Sequence, residues 1–213
     1  MNLRPEMVGD NDPHFWSFAF GLVNSTQQTL IVDNFVGTNG TALPSHAIAP
    51  TNTPGTSWTA QNGSYTIQSN KSSTTGTPTG PGAVATCDCG QATCTVSATV
   101  NLASATGNAG VLARYAAGAF YMAQYSGSSN SFDIFEYNGS SFVSRATTAA
   151  SIDSNNHAVV FSAAGSTLSA TLDGGSLLIY GSASSNPSAT VVGLRSNPQG
   201  STNTVSNFQV TSP

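Results

Sequence analysis

The chain has 213 residues, enough for one large β domain or for one domain with a short arm. Only 7% of them are charged, against roughly 25% in an average soluble domain, so Ser, Thr, Asn, Gly and Ala take the surface instead. Five basic residues and a net charge of −4 exclude a nucleic-acid surface and a polybasic membrane anchor, because neither a row of phosphates nor an anionic lipid face could be neutralised.

Residues 1–28 differ from the rest. They carry Arg4, Glu6, Asp10 and Asp12, then the aromatic run FWSFAFGLV at 15–23. That run is too short to span a membrane, and its acidic flank lacks the form of a secretion signal. It reads as an arm with an anchoring patch, Phe15, Trp16, Phe18 and Phe20. The patch docks on a partner subunit or covers an open edge of its own domain. Such a patch is unusual on a solitary monomer, which points to a homo-oligomer or a larger assembly.

From Thr29 onward helical periodicity is nearly absent. Short alternating runs broken by Gly, Asn, Ser and Pro predict an antiparallel all-β domain over residues 29–213. TLIVDNF (29–35) is the first predicted strand. SWTAQNGSYTIQSN (57–70) reads as a strand pair turning at Asn62-Gly63, and residues 72–82 as a loop. Cys87, Cys89 and Cys94 follow in a C-x-C-x4-C spacing. His14, His46 and His157 are scattered, so a fourth zinc ligand is missing. The readings left are a bridge across a hairpin, Cys87–Cys94 or Cys89–Cys94, and three reduced thiols.

CTVSATVNL (94–102) is the next predicted strand. GVLARY, AFYMAQY and FDIFEY (110–137) are three linked strands, and SFVSRATT, HAVVFSA, TLSATLD and SLLIYGS continue the meander. Asp173-Gly174-Gly175 supplies a tight turn. VVGLRS and NTVSNFQV close the chain. About a dozen strands predict a two-sheet sandwich. With a turn at 116–119 and another at 126–131, Arg114 faces Tyr121 and Tyr121 faces Glu136. That places the three on one face, with Val111, Ala113, Tyr115, Phe120, Met122, Phe135 and Tyr137 on the other, toward the core.

The order of DNF (33–35), Trp58, NGSY (62–65), AGVLARY (109–115), FYMAQY (120–125), LDGG (172–175), VVGLRS (191–196) and VSNFQV (205–210) resembles the concanavalin A-like lectin/glucanase jelly roll. It is similar above all to the laminin-G-like versions found in phage virion proteins and glycan-binding modules. The resemblance implies a jelly-roll sandwich with one concave sheet, on which Arg114, Tyr121 and Glu136 could hold a sugar. It also implies a structural Ca²⁺, for which Asp33 is the candidate; the alternative for Asp33 is a backbone hydrogen bond at a strand end. No other cofactor is expected.

Some glucanases of this superfamily carry Glu-x-Asp-x-x-Glu on one strand. Here Asp133 and Glu136 match the last two acids, and the nucleophile position falls on Ser131. A serine hydroxyl cannot replace a carboxylate nucleophile in this step. Moreover, residues three apart on a regular strand point to opposite faces. The expectation is therefore not an enzyme but a phage virion protein, a capsid decoration or tail component made in the host cytoplasm and held by its arm to other virion proteins. The alternative is an extracellular carbohydrate-binding or host-adhesion module that contacts cell-surface glycans. A glycoside hydrolase ranks third.

Overall fold

A computed structural model describes residues 27–48, 56–75, 78–199 and 202–213. The arm patch, Phe15, Trp16, Phe18 and Phe20, lies outside the described residues. The strands begin with β1 (Thr29–Asp33), β2 (Thr59–Asn62), β3 (Thr66–Ile67), β4 (Ser72–Thr75) and β5 (Ala83–Asp88). They continue with β6 (Cys94–Asn101), β7 (Asn108–Ala116), β8 (Ala119–Ser126), β9 (Ser131–Tyr137) and β10 (Phe142–Ala149). The last five are β11 (Asn156–Ala164), β12 (Thr167–Leu172), β13 (Leu178–Tyr180), β14 (Val191–Asn197) and β15 (Thr202–Thr211).

They form two antiparallel sheets. The eight-stranded sheet runs β13-β12-β11-β6-β15-β4-β3, with β1 also paired to β15, and the seven-stranded sheet runs β10-β9-β8-β7-β14-β5-β2. The all-β sandwich predicted from alternation is what the chain forms. The meanders β7 to β10 and β11 to β13 are each kept together in one sheet, as short tight turns require. In the connection 173–177 between β12 and β13, Asp173 and Gly174 both take positive φ, 51° and 67°, and the Gly175 amide donates to Leu172 O at 2.8 Å, closing a tight turn.

Two local expectations are corrected. The 57–70 segment is not a hairpin: β2 pairs with β5 in one sheet, while β3 pairs with β4 in the other. The chain crosses between the sheets through the buried Tyr65. Residues 72–75, read as loop, form a strand between β3 and β15. Its Ser72, Ser73 and Thr74 are buried, and Thr74 Oγ1 donates to Ser196 Oγ at 2.8 Å, so hydroxyls fill places where apolar residues would have announced a strand. Ala83–Asp88, for which the sequence reading offered no element, is also a strand.

Alternation divides the seven-stranded sheet cleanly. Val111, Ala113, Tyr121, Ala123, Tyr125, Phe132 and Ile134 join Val96, Val159, Phe161 and Phe208 of the opposite sheet in one buried core. Residues of the other parity, Val84, Leu112, Phe120, Met122 and Tyr137, form a second apolar cluster with Tyr115, Phe135 and Phe142 packed on it. The first cluster lies between the sheets. The second covers the outer face of the seven-stranded sheet.

Candidate functional site

An irregularity between β7 and β8 shapes the outer face of the seven-stranded sheet. Ala116 pairs with Ala119 across a two-residue turn, whose Ala117 and Gly118 have φ of 49° and 83°. A regular ladder would then set Arg114 opposite Tyr121. Instead Ala113 faces Tyr121, because Arg114 and Tyr115 together oppose Phe120 in a β-bulge. Arg114 sits at φ 57°, a region costly for a residue with a side chain. Asn186 Nδ2 holds the bulge by donating to Arg114 O at 3.1 Å and Ala119 O at 3.3 Å. The extra residue sends Arg114 inward and Tyr115 outward.

Outside, Tyr115 stacks on Phe120 with ring centroids 6.0 Å apart. Phe120 meets Tyr137 at 5.3 Å, and Tyr137 meets Phe142 at 4.7 Å. Tyr115 Oη donates to Gln61 Oε1 at 3.0 Å, and Gln61 Nε2 donates to Thr86 Oγ1 at 2.8 Å. This polar bar borders two cavities. One, of about 420 Å³, is lined by Thr56, Ser57, Thr59, Thr86, Asp88 and Val191 among others. The second, of about 210 Å³, is lined by Pro81, Val84, Phe120 and Tyr137; both touch Gln61 and Tyr115. Aromatic walls with a few placed hydrogen-bonding groups are the usual makeup of a small-ligand site.

A polar row crosses the middle of the same face. Asp133 pairs with Gln124, Gln124 with Gly110 and Gly110 with Arg195. Arg195 reaches over Gly110 to donate Nη1 to Gln124 Oε1 at 2.5 Å and Nε to Pro81 O at 2.7 Å. Its guanidinium lies 5.1 Å from the Phe142 ring centroid. Burial pulls its pKa down to about 10, with the nearby Tyr65 acting the other way, so it stays charged at neutral pH. Asp133 accepts a hydrogen bond from Ser131 Oγ at 2.5 Å.

The predicted row Arg114, Tyr121 and Glu136 is close together, and Tyr121 faces Glu136 as expected. Its placement on an open concave sheet is corrected: all three turn to the interior and are buried. The bulge moves β7 by one residue relative to β8, so Val111 and Ala113 share the inner side with Tyr121, while Tyr115, Phe120, Met122, Phe135 and Tyr137, expected toward the core, lie on the outer face. Glu136 accepts from Arg145 Nε at 2.9 Å and from Ser185 Oγ. Burial raises its pKa, but Ser185, Arg145 and Tyr121 together pull it below the usual carboxylate range. Tyr121 Oη accepts from the Ser184 and Ser185 amides, both at 3.2 Å. Arg114 donates to Gly165 O at 2.5 Å, while its Nε and Nη1 are buried without a partner among the described residues.

Asp133 and Glu136 point to opposite faces of a β9 whose pairing with β8 shows no irregularity. They do not flank one bond.

Asp33 is buried under nitrogen donors. It accepts from Trp58 Nε1 at 2.7 Å and the Phe35 amide at 2.7 Å, and pairs with His46 Nε2 at 2.9 Å. A calcium ion needs six to eight oxygens, so these neighbours do not fit one. Cys87, Cys89 and Cys94 are buried and form no disulfide among the described residues. β5 and β6 belong to different sheets, so the hairpin that a Cys87–Cys94 or Cys89–Cys94 bridge would have crossed is absent. Cys94 and Cys89 hydrogen-bond to each other, which pushes Cys94 up and Cys89 down. Sequence reasoning missed Gln61, Thr86 and Tyr115 as site residues. NGSY and LARY carry no local mark of the bulge or of the sheet crossing that bring them together.

No family model and no curated protein matches the sequence. Solved structures do. The carbohydrate-binding module CBM66 from Bacillus subtilis aligns with a TM-score of 0.57 at 16% identity, covering 73% of this chain and 95% of that one. The domain has a concanavalin A-like jelly-roll fold. The CBM2 module of the evolved Dit of Lactobacillus casei BL23 phage J-1 superposes on this jelly roll with a TM-score of 0.54 at 12% identity, over 87% of this chain and 95% of the module. Trypanosoma rangeli sialidase does so at 0.56 and 14% identity, over 85% of this chain but 30% of the enzyme. At these identities the jelly roll is shared in fold, and the site must be argued from its own residues.

Proposed function

We propose that the chain is a non-catalytic carbohydrate-binding domain, and that glycans dock on the outer face of its seven-stranded sheet. One observation carries the reading: the bulge at Arg114 turns Tyr115 out beside Phe120 and Tyr137, where it joins Gln61 and Thr86 at two adjacent cavities. Aromatic rings offer flat apolar surface for sugar rings, and amide and hydroxyl groups match sugar hydroxyls. The carbohydrate-binding modules with the same fold support it. Binding rather than hydrolysis is favoured because Ser131 stands in the nucleophile position and the two nearby acids face apart. A glycan array probed with the purified chain tests this. Binding that Tyr115→Ala abolishes, with the melting temperature kept, is the expected result; an array without signal sinks the reading.

The second reading is a phage virion protein, a decoration or tail component attached through residues 1–28. The likeness to a phage module favours it, and it is compatible with glycan binding, as in host adhesion. Deleting residues 1–28 should leave a folded domain that no longer joins particles. Normal incorporation of the truncated chain would reject it.

A further inference from the structure

The two cavities share Gln61 and Tyr115. The larger adds the hydroxyls of Thr56, Ser57, Thr59 and Thr86 beside the apolar Ala116 and Val191; the smaller adds Val84, Pro81 and Tyr137 beside the amide of Asn62. Gln61 is fixed from both sides, by Tyr115 Oη at 3.0 Å and by Thr86 Oγ1 at 2.8 Å. It stands as a ridge between the compartments. Together the two fall within the ~300–1,000 Å³ of small-ligand sites.

Charge narrows the ligand. Among the described residues lining either cavity the one acidic side chain is Asp88, which is exposed and uses one oxygen to accept the Gly90 amide at 2.8 Å. Among the described residues no Lys, Arg or His lines them. Arg195 is turned onto Pro81 and Gln124 and lines neither. A carboxylate, sulfate or phosphate on the sugar would meet a like charge and no cation.

We propose that this cleft takes an uncharged oligosaccharide of at least two units. One unit hydrogen-bonds to the hydroxyls of the larger compartment, its neighbour lays an apolar ring face or substituent against the half-buried Tyr115 ring, which Phe120 backs from beneath, and the linkage crosses Gln61. This assignment rests on the glycan-binding reading above.

The test uses the full chain on an immobilised panel of mono-, di- and trisaccharides, both uncharged and bearing uronate or sialate. Calorimetry of the strongest binder and its single-sugar fragments follows. Uncharged di- and trisaccharides should bind, with single sugars about tenfold weaker or worse. Gln61→Ala, or Tyr115→Phe if the first does not fold, should weaken disaccharide binding about 2- to 10-fold. Asp88→Asn should let acidic glycans in, and Ser162→Ala, on the opposite sheet, should change nothing. A preference for acidic glycans, or equal affinity for single sugars and their dimers, overturns the two-compartment assignment while leaving glycan binding in place. No binding anywhere on the panel overturns both.

Discussion

Ala113, not Arg114, stands opposite Tyr121, because β7 carries one residue more than β8 at this point. That single insertion decides which side chains belong to the core and which to the surface. Arg114 goes inward with two buried nitrogens unpartnered among the described residues, and Tyr115 goes outward to the cleft. Burial pulls the Arg114 pKa below its ordinary value, against the opposing influence of Tyr121 and Cys94.

The buried guanidinium is therefore a cost that another side chain need not carry. Arg114→Met keeps most of the volume and the bulge but removes the charge. Its one hydrogen-bond acceptor, Gly165 O, belongs to an exposed residue that water can serve. Urea denaturation should show a gain of about 1–3 kcal/mol. A loss would mean that Arg114 has favourable interactions beyond the Gly165 bond.

Asp33 ties three segments together, through Phe35, His46 and Trp58. Asp33→Ala strands buried donors, including the Trp58 indole N–H, and should cost about 3–5 kcal/mol. Because the ring of neighbours is nitrogen, a chelator should leave the melting temperature of the wild-type chain unchanged. A drop on adding EDTA would show a bound metal that this set of donors does not explain.

His157 lies between two carboxylates, with Nδ1 2.7 Å from Asp173 and Nε2 2.7 Å from Asp153, and its ring is 4.6 Å from that of Tyr125. Burial lowers its pKa, but hydrogen bonds and charge from Asp173 and Asp153 outweigh that and raise it above the ordinary value. The folded state thus holds the proton more tightly than the unfolded one. The resulting stabilisation is complete below the unfolded value of about 6.5 and is lost as pH climbs through the raised one. Urea midpoints should fall across that window in the wild-type chain and fall less in His157→Gln. On the acid side the sign reverses for Asp153, whose pKa is lowered chiefly by its hydrogen bond to His157. Parallel curves for the two proteins above pH 6.5 would refute the coupling.

Gly110 lets Arg195 reach Gln124 across β7. A Cβ there would lie 2.0 Å from Ala123 O, so β7 and β8 would have to part. Gly110→Ala should destabilise by about 3 kcal/mol or more, and with the strands displaced it should also weaken the cleft. Wild-type stability in this variant would show that the two strands yield more easily than the contact implies.

Much of the fold was legible before the structure. Period-2 alternation in CTVSATVNL and HAVVFSA, and the turn residues Asp173-Gly174, act over a few neighbours and so leave their mark in the sequence. The opposite orientation of Asp133 and Glu136 was legible for the same reason, since it follows from counting along one regular strand. β4 was not, because its buried positions are serines and threonines paired to partners far away in the chain. Nor was the separation of β2 from β3, which depends on which distant strand each one meets.

The sequence by itself determined that this is an antiparallel sandwich with few charges, on one strand of which Asp133 and Glu136 face apart, because alternation and residue chemistry are local properties. Only the tertiary structure decided that Tyr115 faces out and that Arg114, Tyr121 and Glu136 face in. Side-chain direction in a sheet turns over with each single-residue shift. Here the shift is a bulge at an ordinary arginine, held by Asn186 from 72 residues away, and no neighbouring residue foretells it.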